Sequence, residues 1–103
     1  LIKSYLIELS FNECGFENGR ERYLYEATCP NEAVYMYFKS EYGQYAKEYK
    51  QPIYEKYLES YQFDVLYHEL YDVIVGNSEG WGCCIFVYEL KNNKFQRLMD
   101  YCH

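Results

Sequence analysis

Apolar and polar residues alternate over residues 2–11. Tyr5, Ile7, Leu9 and Phe11 share one face, with Ser4, Glu8 and Ser10 opposite. This period of two predicts a half-buried β-strand. Residues 12–19 break the alternation with Asn12, Gly15, Asn18 and Gly19, all turn formers, and read as a loop. Alternation returns over residues 20–28, with Tyr23, Tyr25 and Ala27 on one side and Arg22, Glu26 and Thr28 on the other. The two strands are expected to pair antiparallel across the loop.

The period then lengthens. Cys29-Pro30-Asn31-Glu32-Ala33 reads as a helix start: Thr28 or Asn31 supplies a cap, Pro30 tolerates the first turn, and Glu32 suits the positive end of the helix dipole. A helix over 31–42 places Tyr35, Phe38 and Tyr42 in one stripe, widened by Val34, and Gly43 is its expected stop. Tyr45 and Tyr49 keep the same phase and predict a further short turn. Pro52 opens the next helix, with Tyr54, Tyr57, Leu58 and Tyr61 at i, i+3, i+4 and i+7. Phe63, Leu66, Leu70 and Val73 form a second stripe out of phase with the first. The helix is therefore expected to run to about residue 73 and either to be buried on more than one side or to bend near Gln62. The alternative is an extended segment over 63–67.

Residues 76–82 contain three glycines around the only tryptophan, Trp81. A strand over 83–90 follows, with Cys84, Phe86, Tyr88 and Leu90 on one face and Cys83, Ile85 and Val87 on the other. Both faces are apolar, which predicts a central strand covered twice. Asn92 and Asn93, between Lys91 and Lys94, tolerate positive φ and form a hairpin turn into an edge strand over 95–100, where Gln96 and Arg97 suit an edge. The fold class expected for residues 1–103 is one α+β domain of ββα(α)ββ order, a four-stranded antiparallel sheet packed against two or three helices.

Composition sharpens this picture. Tyrosine is the commonest residue, 15 of 103, and ten of the 15 lie between Tyr35 and Tyr71. A tyrosine fills a core with its ring while keeping its hydroxyl at the edge, and it makes a rigid amphipathic contact surface. The absence of any long apolar run excludes a membrane span. Lys3, Ser4 and Glu8 interrupt what would be a signal peptide, and the opening Leu1 leads us to expect a trimmed leader or tag. The five cysteines are odd in number and form no Cys-x-x-Cys, so reduced thiols in a cytoplasmic setting are expected rather than a disulfide framework.

The net charge is −6 and unevenly spread. Residues 57–90 hold Glu59, Asp64, Glu69, Asp72, Glu79 and Glu89 and no lysine or arginine. Such a field repels nucleic acid and attracts basic proteins. Aromatics coincide with these acids at Tyr57, Tyr61, Tyr67 and Tyr71. Carboxylates would thus stand where phosphates do, and phenol rings where bases stack.

Catalytic chemistry finds little support. His68 and Asp72 are four apart on a predicted helix, but the only other histidine is the terminal His103, too few ligands for a metal. Cys14 sits in a polar stretch without an adjacent base, Cys102-His103 is a terminal dipeptide, and carboxylate pairs such as Glu55 with Glu59 are ordinary on solvated helices. The glycine-rich stretch lacks the lysine of a phosphate loop and precedes a strand. Trp81 reads as a contact anchor or a core cap.

The expectation is a non-enzymatic binding protein without metal or cofactor. Its partner would be a basic, nucleic-acid-handling protein, met through Tyr57, Glu59, Tyr61, Asp64, Tyr67, Glu69, Tyr71, Asp72, Glu79 and Trp81. Small acidic inhibitors from phages and mobile elements, anti-CRISPR proteins among them, are similar in size, acidity and lack of a catalytic motif. That likeness is one of class and rests on no shared motif. The alternatives are a homo-oligomeric assembly module joined through the tyrosine-rich helices, or an antitoxin-like regulator.

Overall fold

The N-terminal alternation becomes a long hairpin in the computed structural model, which describes residues 1–13, 16–42, 51–75 and 81–102, with side chains described outside 11–20, 41–53 and 70–83. Strand β1 (Lys3–Glu13) pairs antiparallel with β2 (Phe16–Ala27), from Lys3 opposite Ala27 to Glu13 opposite Phe16. The loop expected at 12–19 is therefore mostly strand. Phe11 faces Gly19 and Asn12 faces Glu17, so Asn18 is the extra residue of a bulge. A bulge absorbs a turn-forming residue without ending the ladder, and pairing to a neighbour overrides local propensity.

The C-terminal hairpin joins β3 (Trp81–Lys91) to β4 (Lys94–Cys102). Asn92 and Asn93 have φ of 55° and 63°, the left-handed pair that a two-residue hairpin turn requires. Val87 faces Met99 and Tyr88 faces Arg97, which leaves Leu98 as a second bulged residue. β3 also pairs antiparallel with β1, so the sheet order is β2-β1-β3-β4, with β2 and β4 at the edges.

Between the hairpins lie the helices. Helix α1 (Pro30–Tyr37) is capped at Cys29 without a side-chain bond, in place of the expected Thr28 or Asn31. Pro30 fills the first turn, so one orphan N–H is absent from the start. Thr28 Oγ1 instead donates to Glu32 at 2.7 Å. The chain then widens into a π-helical turn, Phe38–Tyr42, where an unbroken α-helix was expected. The buried Tyr54 hydroxyl donates to the Phe38 carbonyl at 3.0 Å, at the start of that turn. Gly43, Tyr45 and Tyr49 lie outside the described residues. The long helix expected from Pro52 is two helices, α2 (Gln51–Glu59) and α3 (Phe63–Val75), broken beside Gln62 where the two apolar stripes change phase.

The helices cover one face of the sheet. Tyr5, Ile7 and Leu9 of β1, Ala27 of β2, and Ile85 and Val87 of β3 meet Val34, Tyr37, Phe38, Tyr54, Leu58, Phe63, Leu66 and Tyr67. Each fully buried large side chain contributes roughly 1.5–3 kcal/mol relative to exposure. Tyrosine serves as a core residue here: Tyr5, Tyr37, Tyr54 and Tyr67 are all almost completely buried. The Tyr37 ring lies 5.4 Å from that of Tyr23 and 6.5 Å from that of Tyr25, joining α1 to β2.

The opposite face lacks a second layer among the described residues. The expectation that β3 is covered twice is thus corrected: it is central, but Cys84, Phe86 and Tyr88 are only half-buried and Leu90 is exposed. The Cα atoms span 40 × 34 × 17 Å, and the shortest dimension fits one sheet and one helical layer. The expectation of reduced thiols is corrected as well, because Cys84 and Cys102 form a disulfide between β3 and β4. These residues face each other in the ladder with Cα atoms 4.2 Å apart, a proximity that cysteine spacing in sequence cannot reveal. Among the described residues no helix is long and apolar enough to cross a membrane.

Burial pushes the Tyr54 phenol up from 10.0 to about 12. The folded protein keeps this proton after the unfolded chain has released it. The associated stability is complete below pH 10 and is lost between about 10 and 12. Urea midpoints should fall across that window, and Tyr54→Phe should make the fall shallower. At pH 7 the same variant should lose about 1–2 kcal/mol, because the Phe38 carbonyl loses its donor. Replacing both Cys84 and Cys102 by alanine should cost about 3 kcal/mol in non-reducing urea unfolding, the loop-entropy value for a separation of 18 residues.

Candidate functional site

The corner between α2 and α3 is built by backbone bonds. Tyr61 N–H donates to the Leu58 carbonyl at 3.2 Å and Gln62 N–H to the Tyr57 carbonyl at 2.9 Å. This pair of bonds is a Schellman ending, with Tyr61 at the left-handed position. Its φ is 59°, where glycine is usual and a Cβ costs roughly 1 kcal/mol. The Gln62 carbonyl then accepts from Leu66 N–H at 3.0 Å and starts α3. Ser60 Oγ donates back to the Lys56 carbonyl, and Gln62 Nε2 donates to Ser60 Oγ, both at 2.7 Å.

Ring contacts hold Tyr61 in this conformation. Its ring centroid lies 5.6 Å from that of Tyr35 and 5.4 Å from that of Phe63. Phe63 in turn stacks on Phe38 at 5.7 Å, with planes 2° apart. A ladder of rings thus runs from the core to the surface. Phe38 and Phe63 are buried, whereas Tyr61 is 46% exposed. Aromatic pairs of this kind contribute about 0.5–1.5 kcal/mol each beyond area burial, enough to offset the backbone cost.

Two carboxylates belong to this corner. Tyr35 Oη donates to Glu59 Oε1 at 2.8 Å. That hydrogen bond, with desolvation and the Glu59 charge, holds the Tyr35 phenol above its usual range. Asp64 opens α3 and lies 3.5 Å from His68 Nε2 one turn on. Val65 and Glu69 are exposed on the same helix. The corner also contains cations: Lys39 lies over the Tyr35 ring at 5.6 Å and Lys56 over the Tyr57 ring at 5.4 Å.

The sequence-selected residues separate accordingly. Glu59, Tyr61 and Asp64 lie together at the corner, with half-buried Tyr57 one turn back and exposed Glu69 further along α3. Asp64 and Glu69 are five residues apart, which puts them on opposite edges of the exposed arc rather than in one row. Tyr67 is completely buried and belongs to the core, a correction to its place on the contact surface. Its position one residue from Leu66 puts it on the inward arc. The side chains of Tyr71, Asp72 and Trp81, and Glu79 as a whole, lie outside the described residues. Glu89, counted with the acidic stretch, pairs with Lys3 at 3.0 Å on the sheet.

Sequence reasoning missed Tyr35 and Phe63 as supports of the site. Their aromatic spacing was visible, but it read as core stripe. Nothing in the sequence marks Tyr61 as left-handed, because no glycine stands there. No protein-family model, curated protein or solved structure matches the chain.

Tyr61 allows a clean test of the corner. Tyr61→Gly loses the ring contacts but relieves the backbone, whereas Tyr61→Ala loses the contacts and keeps the Cβ cost. Urea unfolding should therefore find Tyr61→Ala less stable than Tyr61→Gly by roughly 0.5–1 kcal/mol, the reverse of their order within a helix.

Proposed function

We propose that this protein is a small, acidic, non-enzymatic inhibitor that docks the α2–α3 corner into a basic, nucleic-acid-binding surface of another protein. Tyr61 carries the reading. An exposed aromatic ring is held in a backbone conformation that glycine would occupy more easily, and it packs on the Tyr35 ring whose hydroxyl donates to Glu59. Strained residues supported by their surroundings cluster at functional positions. Tyrosine is also among the residues that dominate binding energy at interfaces.

The charge distribution supports a basic partner. Residues 57–90 contain no lysine or arginine, and α3 exposes Asp64 and Glu69, with His68 3.5 Å from Asp64. Lys39 and Lys56 lie over the Tyr35 and Tyr57 rings of the same corner, so acids and cations are interleaved there. Opposite charges steer encounter and set its salt dependence, while the buried ring sets the dissociation rate. This is how a phage-type anti-defence protein of the anti-CRISPR kind would compete with nucleic acid. Action in the cytoplasm fits such a partner.

Immobilised protein should capture a nucleic-acid-binding protein from lysate at low salt, and excess single-stranded DNA should compete it off. Glu59→Lys with Asp64→Lys should slow association by roughly tenfold or more, while Tyr61→Gly should mainly speed dissociation. Capture that is indifferent to DNA, to salt and to both charge reversals would refute charge mimicry.

A further inference from the structure

Strand β2 ends the sheet, with β1 on one side and no strand on the other among the described residues. An edge strand presents a row of backbone N–H and C=O groups and can pair with another chain, unless bulges, short length or charges oppose it. The two edges of this sheet differ. β4 is interrupted by its bulge at Leu98. β2 runs opposite β1 without interruption from Arg20 to Ala27. Arg22, Leu24 and Glu26 are exposed on its helix-free side, Leu24 at 67%, while Tyr23 and Tyr25 are half-buried against Tyr37 of α1.

The charges of this edge are placed symmetrically about Leu24, with Arg22 two residues before it and Glu26 two after. A two-fold axis between two antiparallel copies of one strand passes between the two copies of one residue. With the axis at Leu24, Arg22 of each copy stands opposite Glu26 of the other, Leu24 opposite Leu24, and Tyr23 opposite Tyr25. An axis at Arg22 or Glu26 sets like charges directly against each other. An axis at Tyr23 or Tyr25 sets Leu24 opposite a charge. Pairing about Leu24 is therefore the one of these registers that matches acid with base and leucine with leucine. The match extends to the next strands. Leu6 is level with Leu24, Glu8 with Arg22, and Ser4 with Glu26. The row across the junction then reads Glu8, Arg22, Glu26, Ser4. Arg22, whose Nε already donates to Glu8 Oε2 at 2.8 Å, stands between two carboxylates. The backbone matches too. Every second residue of β2 points its N–H and C=O away from β1, and pairing about one residue brings that set opposite the same set of the second copy.

We propose that β2 pairs antiparallel with β2 of a second copy about a two-fold axis at Leu24, joining two sheets edge to edge into one. Backbone bonds supply the attraction, as in other strand additions, and the alternating side chains fix the register. The axis stands normal to the sheet, so both helical layers, with their α2–α3 corners, lie on one face of the joined sheet. The pairing is independent of the inhibitory role but has a consequence for it: two corners on one face bind a partner that offers two basic sites with avidity beyond either alone.

Sedimentation equilibrium combined with hydrogen exchange read by mass spectrometry tests the pairing. Wild-type protein should approach twice the 12.5 kDa mass of one chain as concentration rises. Amides of residues 21–27 should gain protection in step with the dimer fraction, while those of residues 94–97 on the other edge should not. Glu26→Arg alters an exposed position, so in dilute solution it should keep the wild-type circular dichroism and melting temperature. It sets arginine against arginine twice across the axis and should raise the dimer dissociation constant by roughly tenfold or more. A wild-type chain that is monomeric at every concentration overturns the proposal. So does a dimer in which residues 21–27 exchange as fast as in the monomer, which would put the contact elsewhere. A dimer indifferent to Glu26→Arg overturns it as well, because the register about Leu24 cannot then be the one adopted.

Discussion

A chain of this length has apolar surface enough to bury one face of a four-stranded sheet, and everything else in the molecule follows from that one-sided burial. Tyr5, Ile7, Leu9, Ile85 and Val87 project toward the helices and are covered. Their neighbours in sequence project the other way: Glu8 and Ser10 are buried there too, whereas Leu6, Phe86 and Tyr88 are half-buried. Because side chains alternate strictly along a strand, this commits the register: a slip by one residue would turn Glu8 and Ser10 toward the helices in place of Ile7 and Leu9. Glu8, buried on the other face, pairs with Arg22 at 2.8 Å.

The tyrosines make this limited core workable. Their rings add area comparable to phenylalanine, and their hydroxyls reach polar partners at its boundary, as with Tyr54 on the Phe38 carbonyl and Tyr35 on Glu59. The same chemistry extends the core outward. The sequence of rings from Phe38 through Phe63 to Tyr61 lets a buried stack fix a surface residue in a costly backbone conformation. Rigidity at Tyr61 is thus transmitted from the core, which suits a residue that contacts a partner without being reorganised by it.

Much of the fold was legible in the hydrophobic pattern. The four strands, the Asn92-Asn93 turn and the helix break beside Gln62 follow from period and turn chemistry, since these are local properties. What was not legible depends on neighbours distant in sequence. Asn12, Asn18 and Gly19 read as loop but are carried by a ladder with a bulge. Cys84 and Cys102 read as separate thiols but are brought opposite by the β3–β4 register. The apolar residues on both faces of β3 read as a strand covered twice. Phe86 and Tyr88 are instead half-buried on a face without a second layer among the described residues. For the candidate site, charge counting found Glu59 and Asp64, yet it also selected Tyr67, which the α3 periodicity sends inward. The left-handed conformation of Tyr61 had no signature, because the residue that would announce it is absent.

One-sided coverage of the sheet is open to a direct measurement: hydroxyl-radical footprinting read by mass spectrometry, in solution dilute enough that chains are separate. Leu24 and Phe95 should be oxidised many times faster than Ile7, Tyr37 and Ile85, after correction for intrinsic reactivity. Equal protection of both sets in dilute solution would mean that the sheet is covered on both faces. It would contradict the arrangement from which the core, the acidic corner and the open face have all been argued.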